Sequence, residues 1–137
     1  MALPGRRPSA DDDSMAEALA YLAAATIGLW GISHAIPTRK VVAGFEPTTA
    51  DNHWVILQEW VAEAVTMWGL AALVVAVTAI DADQQVTTAV YRVVAVILAA
   101  LAVLTTATGA RTQVIWFKVC PVLLTTSAAM LVIASFL

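Results

Sequence analysis

Apolar residues along this chain gather into four long blocks separated by shorter polar interruptions. The blocks run over about 16–36, 54–80, 86–108 and 114–137. Each meets the roughly 20 mostly apolar residues that a helix needs to cross the hydrocarbon core of a bilayer. The pattern predicts an all-α membrane protein, a four-transmembrane-helix bundle with almost no soluble part. The connections cover 37–53, 81–85 and 109–113. The last two are short, so the second and third helices, and the third and fourth, are expected to be antiparallel neighbours.

Helix punctuation supports these boundaries. Ser14, with Glu17 three residues on, has the form of a capping box for the first helix. Pro37 ends that helix, because a proline pushes the residue before it out of the helical region. Asp51 or Asn52 suits the N-cap of the second helix and Asp83 that of the third. Gly109 suits the close of the third. Residues 1–15 hold Arg6, Arg7, two prolines and three aspartates. They are expected to be a disordered tail ahead of a helical domain over 16–137. The first block also has traits of a cleaved signal peptide, with Ser33-His34-Ala35 as the cleavage motif. A spanning helix is the better reading, because the apolar run exceeds the usual length of about 7–15 residues and follows acids rather than bases.

Four spans put both termini on one side of the membrane, side A, and the 37–53 and 109–113 loops on the other, side B. Tyr21 and Tyr91 then fall near side A, and Trp30, Trp54, Trp60 and Trp116 near side B, as an interfacial belt would. Arg39, Lys40, Arg111 and Lys118 lie towards side B, against Arg6, Arg7 and Arg92 towards side A. The balance leans slightly to a cytoplasmic side B.

Composition agrees with lipid as the main neighbour. Of 137 residues 61% are hydrophobic and 12% charged, and the mean hydropathy is +0.83. Soluble domains carry about 25% charged residues, and half that charge cannot coat a globule of this size. The net charge of −3 and the lack of a basic run argue against nucleic acid as a partner. The single cysteine, Cys120, excludes an intrachain disulfide and a cysteine-based zinc motif. The expected setting is the bilayer, as a multi-pass membrane protein. A lipophilic small molecule, a second copy of the chain and a larger membrane complex stay open as partners.

Lipid supplies no hydrophobic drive between helices, so contacts should rest on small residues. Ala20, Ala24 and Gly28, then Gly31 and Ala35, repeat at four-residue spacing, and Ala95, Ala99, Ala102 and Thr106 form a similar stripe. These read as bundle seams. Cys120-Pro121 reads as a kink in the last helix, and Thr125-Thr126-Ser127 as hydroxyls that satisfy carbonyls within it.

Polar side chains inside the blocks are few and cluster towards side B. Glu59 and Glu63 are four residues apart and so share a helix face, which Thr66 extends. Lys118 lies near the start of the last block. A charge at mid-span costs roughly 2.5–3.5 kcal/mol, so these groups need partners, and a Glu63–Lys118 pair is the expected one. His34 ends the first helix on the same side, with Arg39, Lys40, Asp51, His53 and Arg111 in the loops around it. The arrangement admits two readings. One is an ion pair that holds the bundle. The other is a polar pocket open to side B, with a carboxylate as proton carrier or ligand group. His34, His53, Glu59 and Glu63 are acceptable metal ligands, but no metal-binding spacing joins them on one helix, and no metal or other cofactor is expected. Trp60 and Trp68 could wall a pocket, although bundle packing or lipid contact suits them better.

The run from His34 through Pro37, Arg39, Lys40 and Gly44 to Phe45, followed by Asp51-Asn52 and Glu59-Trp60-Val61-Ala62-Glu63, resembles small uncharacterised bacterial four-helix membrane proteins, broadly the DoxX-like class. The resemblance covers roughly residues 28–70. It implies a compact four-helix bundle with a structured first loop, set in a bacterial cytoplasmic membrane, and no established activity. Its implied shared residues are His34, Pro37, Arg39, Lys40, Gly44, Asp51, Asn52, Glu59 and Glu63.

Function is expected to be that of a small membrane component or a binder of a lipophilic small molecule. An enzyme acting on a lipid-soluble substrate is the alternative, with Glu63, Glu59 and His34 as the candidates for proton transfer. So is a small proton-coupled transporter, although four-helix multidrug exporters carry a carboxylate in the first span and this chain has none there beyond Glu17.

Overall fold

The computed structural model describes residues 10–45 and 47–137. It is all-helical: α1 (Ala10–Ala35), a short α2 (Thr38–Ala43), α3 (Ala50–Ala79), α4 (Gln84–Ala107), a 3-10 turn (Gly109–Arg111) and α5 (Trp116–Ala134). Four helices are long and apolar enough to cross a membrane. The expected tail falls partly outside the described residues, Arg6 and Arg7 among them.

Helix α1 starts at Ala10, earlier than the apolar pattern suggests. Asp11, Asp12 and Asp13 occupy its first turn, where carboxylates meet the positive end of the helix dipole. Ser14 is therefore an interior residue and not a cap; its hydroxyl donates back to the Asp11 carbonyl at 3.0 Å. The α3 cap is Thr49, whose hydroxyl accepts from the Asn52 amide at 3.2 Å, and not Asp51 or Asn52. Asp83 caps α4 as expected, accepting from the Gln85 amide at 2.9 Å.

The α3–α4 turn closes with a Schellman pair, Ala82 N–H to the Val77 carbonyl at 3.2 Å and Asp81 N–H to the Thr78 carbonyl at 3.3 Å. The left-handed position that this turn requires is taken by Asp81, with φ of 49°. Gly109 has no left-handed backbone. It gives room instead: a Cβ there would lie 3.2 Å from that of Phe117.

Around the bundle α1 packs against both α3 and α5, and α4 packs chiefly against α5 with a thinner seam to α3. No comparable seam joins α3 to α5. The inside sets small side chains beside large ones: Ala20, Ala23, Ala24, Ala64, Ala71, Ala95 and Ala102 are buried with Ile27, Met67, Leu98, Leu124 and Leu131. Other large ones face out, among them Leu22, Leu29, Val96, Val103, Val122 and Ile133. In water each such exposure would forgo about 1.5–3 kcal/mol of burial. Against hydrocarbon it forgoes nothing, and small inner residues let the backbones approach. Gly31 marks the closest approach, since a Cβ there would sit 2.7 Å from Trp68 Nε1 and 3.3 Å from the Ala64 carbonyl. The α4 stripe is only half a seam, because Ala99 and Thr106 face outward.

The first loop forms α2, which packs on α3. Val42 is its buried anchor, while Phe45 is exposed. Two polar expectations change. Tyr91 is a buried residue and not an interfacial one, bonded to Thr78 at 2.6 Å. Ser127 is buried with its hydroxyl unpartnered, where a bond to a carbonyl of its own helix was expected.

Candidate functional site

The side-B end of the bundle is organised around the last turn of α1. Its free carbonyls and the side chain of His34 both face α3. Trp60, on α3, covers them in two ways. Its ring stacks on the His34 imidazole with centroids 3.8 Å apart and planes 18° from parallel. Its indole Nε1–H donates to the His34 carbonyl at 3.1 Å, supplying the partner that the end of a helix lacks. Phe117 of α5 meets the Trp60 ring edge-on at 6.2 Å. His34 is left only 7% exposed.

One turn of α3 beyond Trp60 lies Glu63, with its Oε2 3.5 Å from His34 Nε2. The contact does not amount to a hydrogen bond: Nε2 is buried with no hydrogen-bond partner. The Glu63 side chain is about a third exposed, at 35%. The pair is thus closed on the imidazole side and open on the carboxylate side.

A second aromatic group backs the first. Trp30 Nε1–H donates to Cys120 Sγ at 3.2 Å, and the Trp30 ring meets Trp116 at 6.5 Å. Cys120 is buried. These contacts tie α1 to α5, as Trp60 ties α1 to α3.

Of the residues expected to cluster here, the fold brings together His34 and Glu63. The expected Glu63–Lys118 pair does not form: the Glu63 carboxylate lies beside His34 of α1, and Lys118 is exposed. Glu59, Arg39, Lys40, Asp51, Asn52 and Arg111 are exposed around the rim. Thr66 is satisfied within α3, donating to the Ala62 carbonyl at 2.8 Å. The residues that complete the site, Trp60, Phe117, Trp30 and Cys120, were legible only as belt or packing residues. Trp60 does precede Glu63 by three residues, which puts both on one helix face.

Among the described residues no three histidine, cysteine, aspartate or glutamate side chains converge as a metal site would need. The chemistry available is a buried imidazole with an unused ring nitrogen, a carboxylate beside it that water or headgroups can reach, and an aromatic cover. Such a set can hold a polar headgroup by hydrogen bonds or pass a proton between carboxylate and imidazole. No known protein family, curated protein or solved structure matches this chain.

Proposed function

We propose that this chain is a multi-pass component of a bacterial cytoplasmic membrane that binds a lipophilic small molecule through its polar end at His34 and Glu63. One observation carries the reading: a histidine more than nine-tenths buried whose Nε2 has no hydrogen-bond partner, with a part-exposed carboxylate 3.5 Å away. A buried ring nitrogen left unmatched costs about 1–3 kcal/mol, and a ligand hydroxyl or carbonyl between the two groups would recover it.

A second reading, an enzyme on a lipid-soluble substrate, draws on the same pair, since imidazole beside carboxylate suits proton transfer. The test is to purify the full chain in mild detergent, extract it with organic solvent and compare bound lipophiles by mass spectrometry. The wild type should retain one species near one equivalent that His34→Ala and Glu63→Gln lose. Retention of the same lipids by all three proteins would overturn the proposal. A retained species that changes mass on incubation only in the wild type would select the enzyme reading.

A further inference from the structure

The opposite end of the bundle holds a feature unrelated to this pair. At side A the first turns of α1, the α3–α4 turn and the end of α5 enclose a cleft of about 410 Å³, room for a small organic molecule. Asp13, Glu17 and Asp81 lie along it. None of the three is ion-paired among the described residues. Arg92 of α4 is already engaged: its guanidinium donates to the Ser135 hydroxyl at 3.2 Å and carbonyl at 3.3 Å and lies over the Phe136 ring at 4.9 Å.

Thr78, Tyr91 and Ser135 are the buried polar residues of the lining. Proton counting orients them. The Thr78 hydroxyl donates to the Val74 carbonyl at 2.8 Å, which uses its one proton. The 2.6 Å contact with Tyr91 therefore has the phenol as donor. No described group donates to the Tyr91 oxygen, so its lone pairs remain open in a residue 3% exposed. Ser135 spends its proton likewise, on the Val132 carbonyl at 2.8 Å. The buried hydroxyls of the cleft point their protons into the protein. What they leave to a guest is acceptor capacity, under a rim of carboxylates that have no ion pair among the described residues.

We infer that the side-A cleft binds a primary organic ammonium ion, as a free amine or as the amine headgroup of a lipid. The ammonium supplies the N–H donors that the Tyr91 oxygen and the carboxylates lack, and its charge offsets theirs. Val77 and Phe136, which also line the cleft, take the alkyl portion.

The test is calorimetric titration of the full chain in a neutral detergent with n-butylammonium chloride, with n-butanol and tetramethylammonium chloride as controls. Butylammonium should bind saturably, and butanol should not. Asp81→Asn, which keeps a side chain tolerant of the left-handed backbone, combined with Glu17→Gln, should weaken butylammonium by about tenfold. Tyr91→Phe should weaken butylammonium about fivefold and leave tetramethylammonium, which has no N–H, unchanged. His34→Ala should leave all of these values in place, which separates this site from the side-B proposal. Nanodiscs holding equal phosphatidylethanolamine and phosphatidylcholine identify the source by native mass spectrometry. Selective retention of phosphatidylethanolamine, displaced by butylammonium, assigns the headgroup; butylammonium binding without such retention assigns a free amine. No saturable butylammonium binding, or binding equal in wild type and the double acid variant, would overturn the inference.

Discussion

The two ends of this bundle solve opposite problems. At side B polar groups are drawn into the protein and covered: His34 lies under Trp60, whose ring meets Phe117 edge-on. At side A the buried hydroxyls spend their protons inward and the charges stay outside: Tyr91 donates to Thr78, while Asp13, Glu17 and Asp81 ring an open cleft. The difference follows from sequence. Side B carries tryptophans, whose large rings shield a polar atom and whose N–H can close a helix end. Side A carries carboxylates, which favour a helix start and resist burial. One end can enclose the polar end of a lipophilic guest; the other attracts a charged one.

Four spans put the two ends on opposite faces of the membrane, which gives the largest expected effect. Ser14→Cys and Lys40→Cys, each made with Cys120→Ala, should react with a membrane-impermeant maleimide from opposite sides. The signal is all or none. Labelling of both from one side would break the four-span arrangement.

Next in size is the aromatic cover. Trp60→Ala removes a stack on His34, a hydrogen bond to its carbonyl and the contact with Phe117. The loss should be about 3 kcal/mol, as for large-to-small changes at well-packed sites, read from denaturant titration in detergent. Trp60→Phe keeps a ring and loses the N–H, and should cost about 1 kcal/mol. Equal losses for the two would mean that the hydrogen bond carries the cover.

At side A the expected change has the other sign. Asp81 holds a left-handed backbone that costs a non-glycine residue roughly 1–2 kcal/mol. Aspartate tolerates the position better than most residues, so Asp81→Gly should stabilise the fold by about 1 kcal/mol, the lower end of that range. The same change should weaken butylammonium binding in the cleft. Stabilisation with unchanged binding would leave the residue with a turn role alone.

What was legible in the sequence was one-dimensional. Span number and type follow from runs of apolar residues, and Asp83 announced its own cap. Boundaries move where a local electrostatic gain outweighs the apolar pattern, as at Asp11–Asp12–Asp13, which extend α1 to Ala10. Side-chain partners were harder to read, because hydropathy does not say which helices are neighbours around the bundle. Glu63 was legible as a residue in need of a partner, and His34 as part of the same end, but only the packing of α1 on α3 joins them. Tyr91 shows the same gap: a tyrosine near a span end suits an interfacial belt as well as a buried hydroxyl pair, and only packing decides.

The smallest effect tests that neighbour order directly. Lys118 and Glu63 both lie in the side-B halves of their helices, so a lysine–carboxylate pair is sterically reasonable from sequence alone. In the fold Lys118 is exposed, and the basic group within reach of Glu63 is His34. Lys118→Ala should therefore change stability by no more than about 0.5 kcal/mol, as for a surface position. A double-mutant cycle of Lys118→Ala with Glu63→Gln should return additivity within about 0.3–0.5 kcal/mol. The matching cycle of His34→Gln with Glu63→Gln should depart from additivity by about 0.5–1 kcal/mol. That value is modest because the carboxylate is part exposed and the contact is too poor for a hydrogen bond. The contrast between the cycles matters more than either number. A lysine coupling equal to or above the histidine coupling would place α5, and not α1, against the carboxylate face of α3. It would dismantle the side-B site, while the side-A cleft would still rest on its own residues.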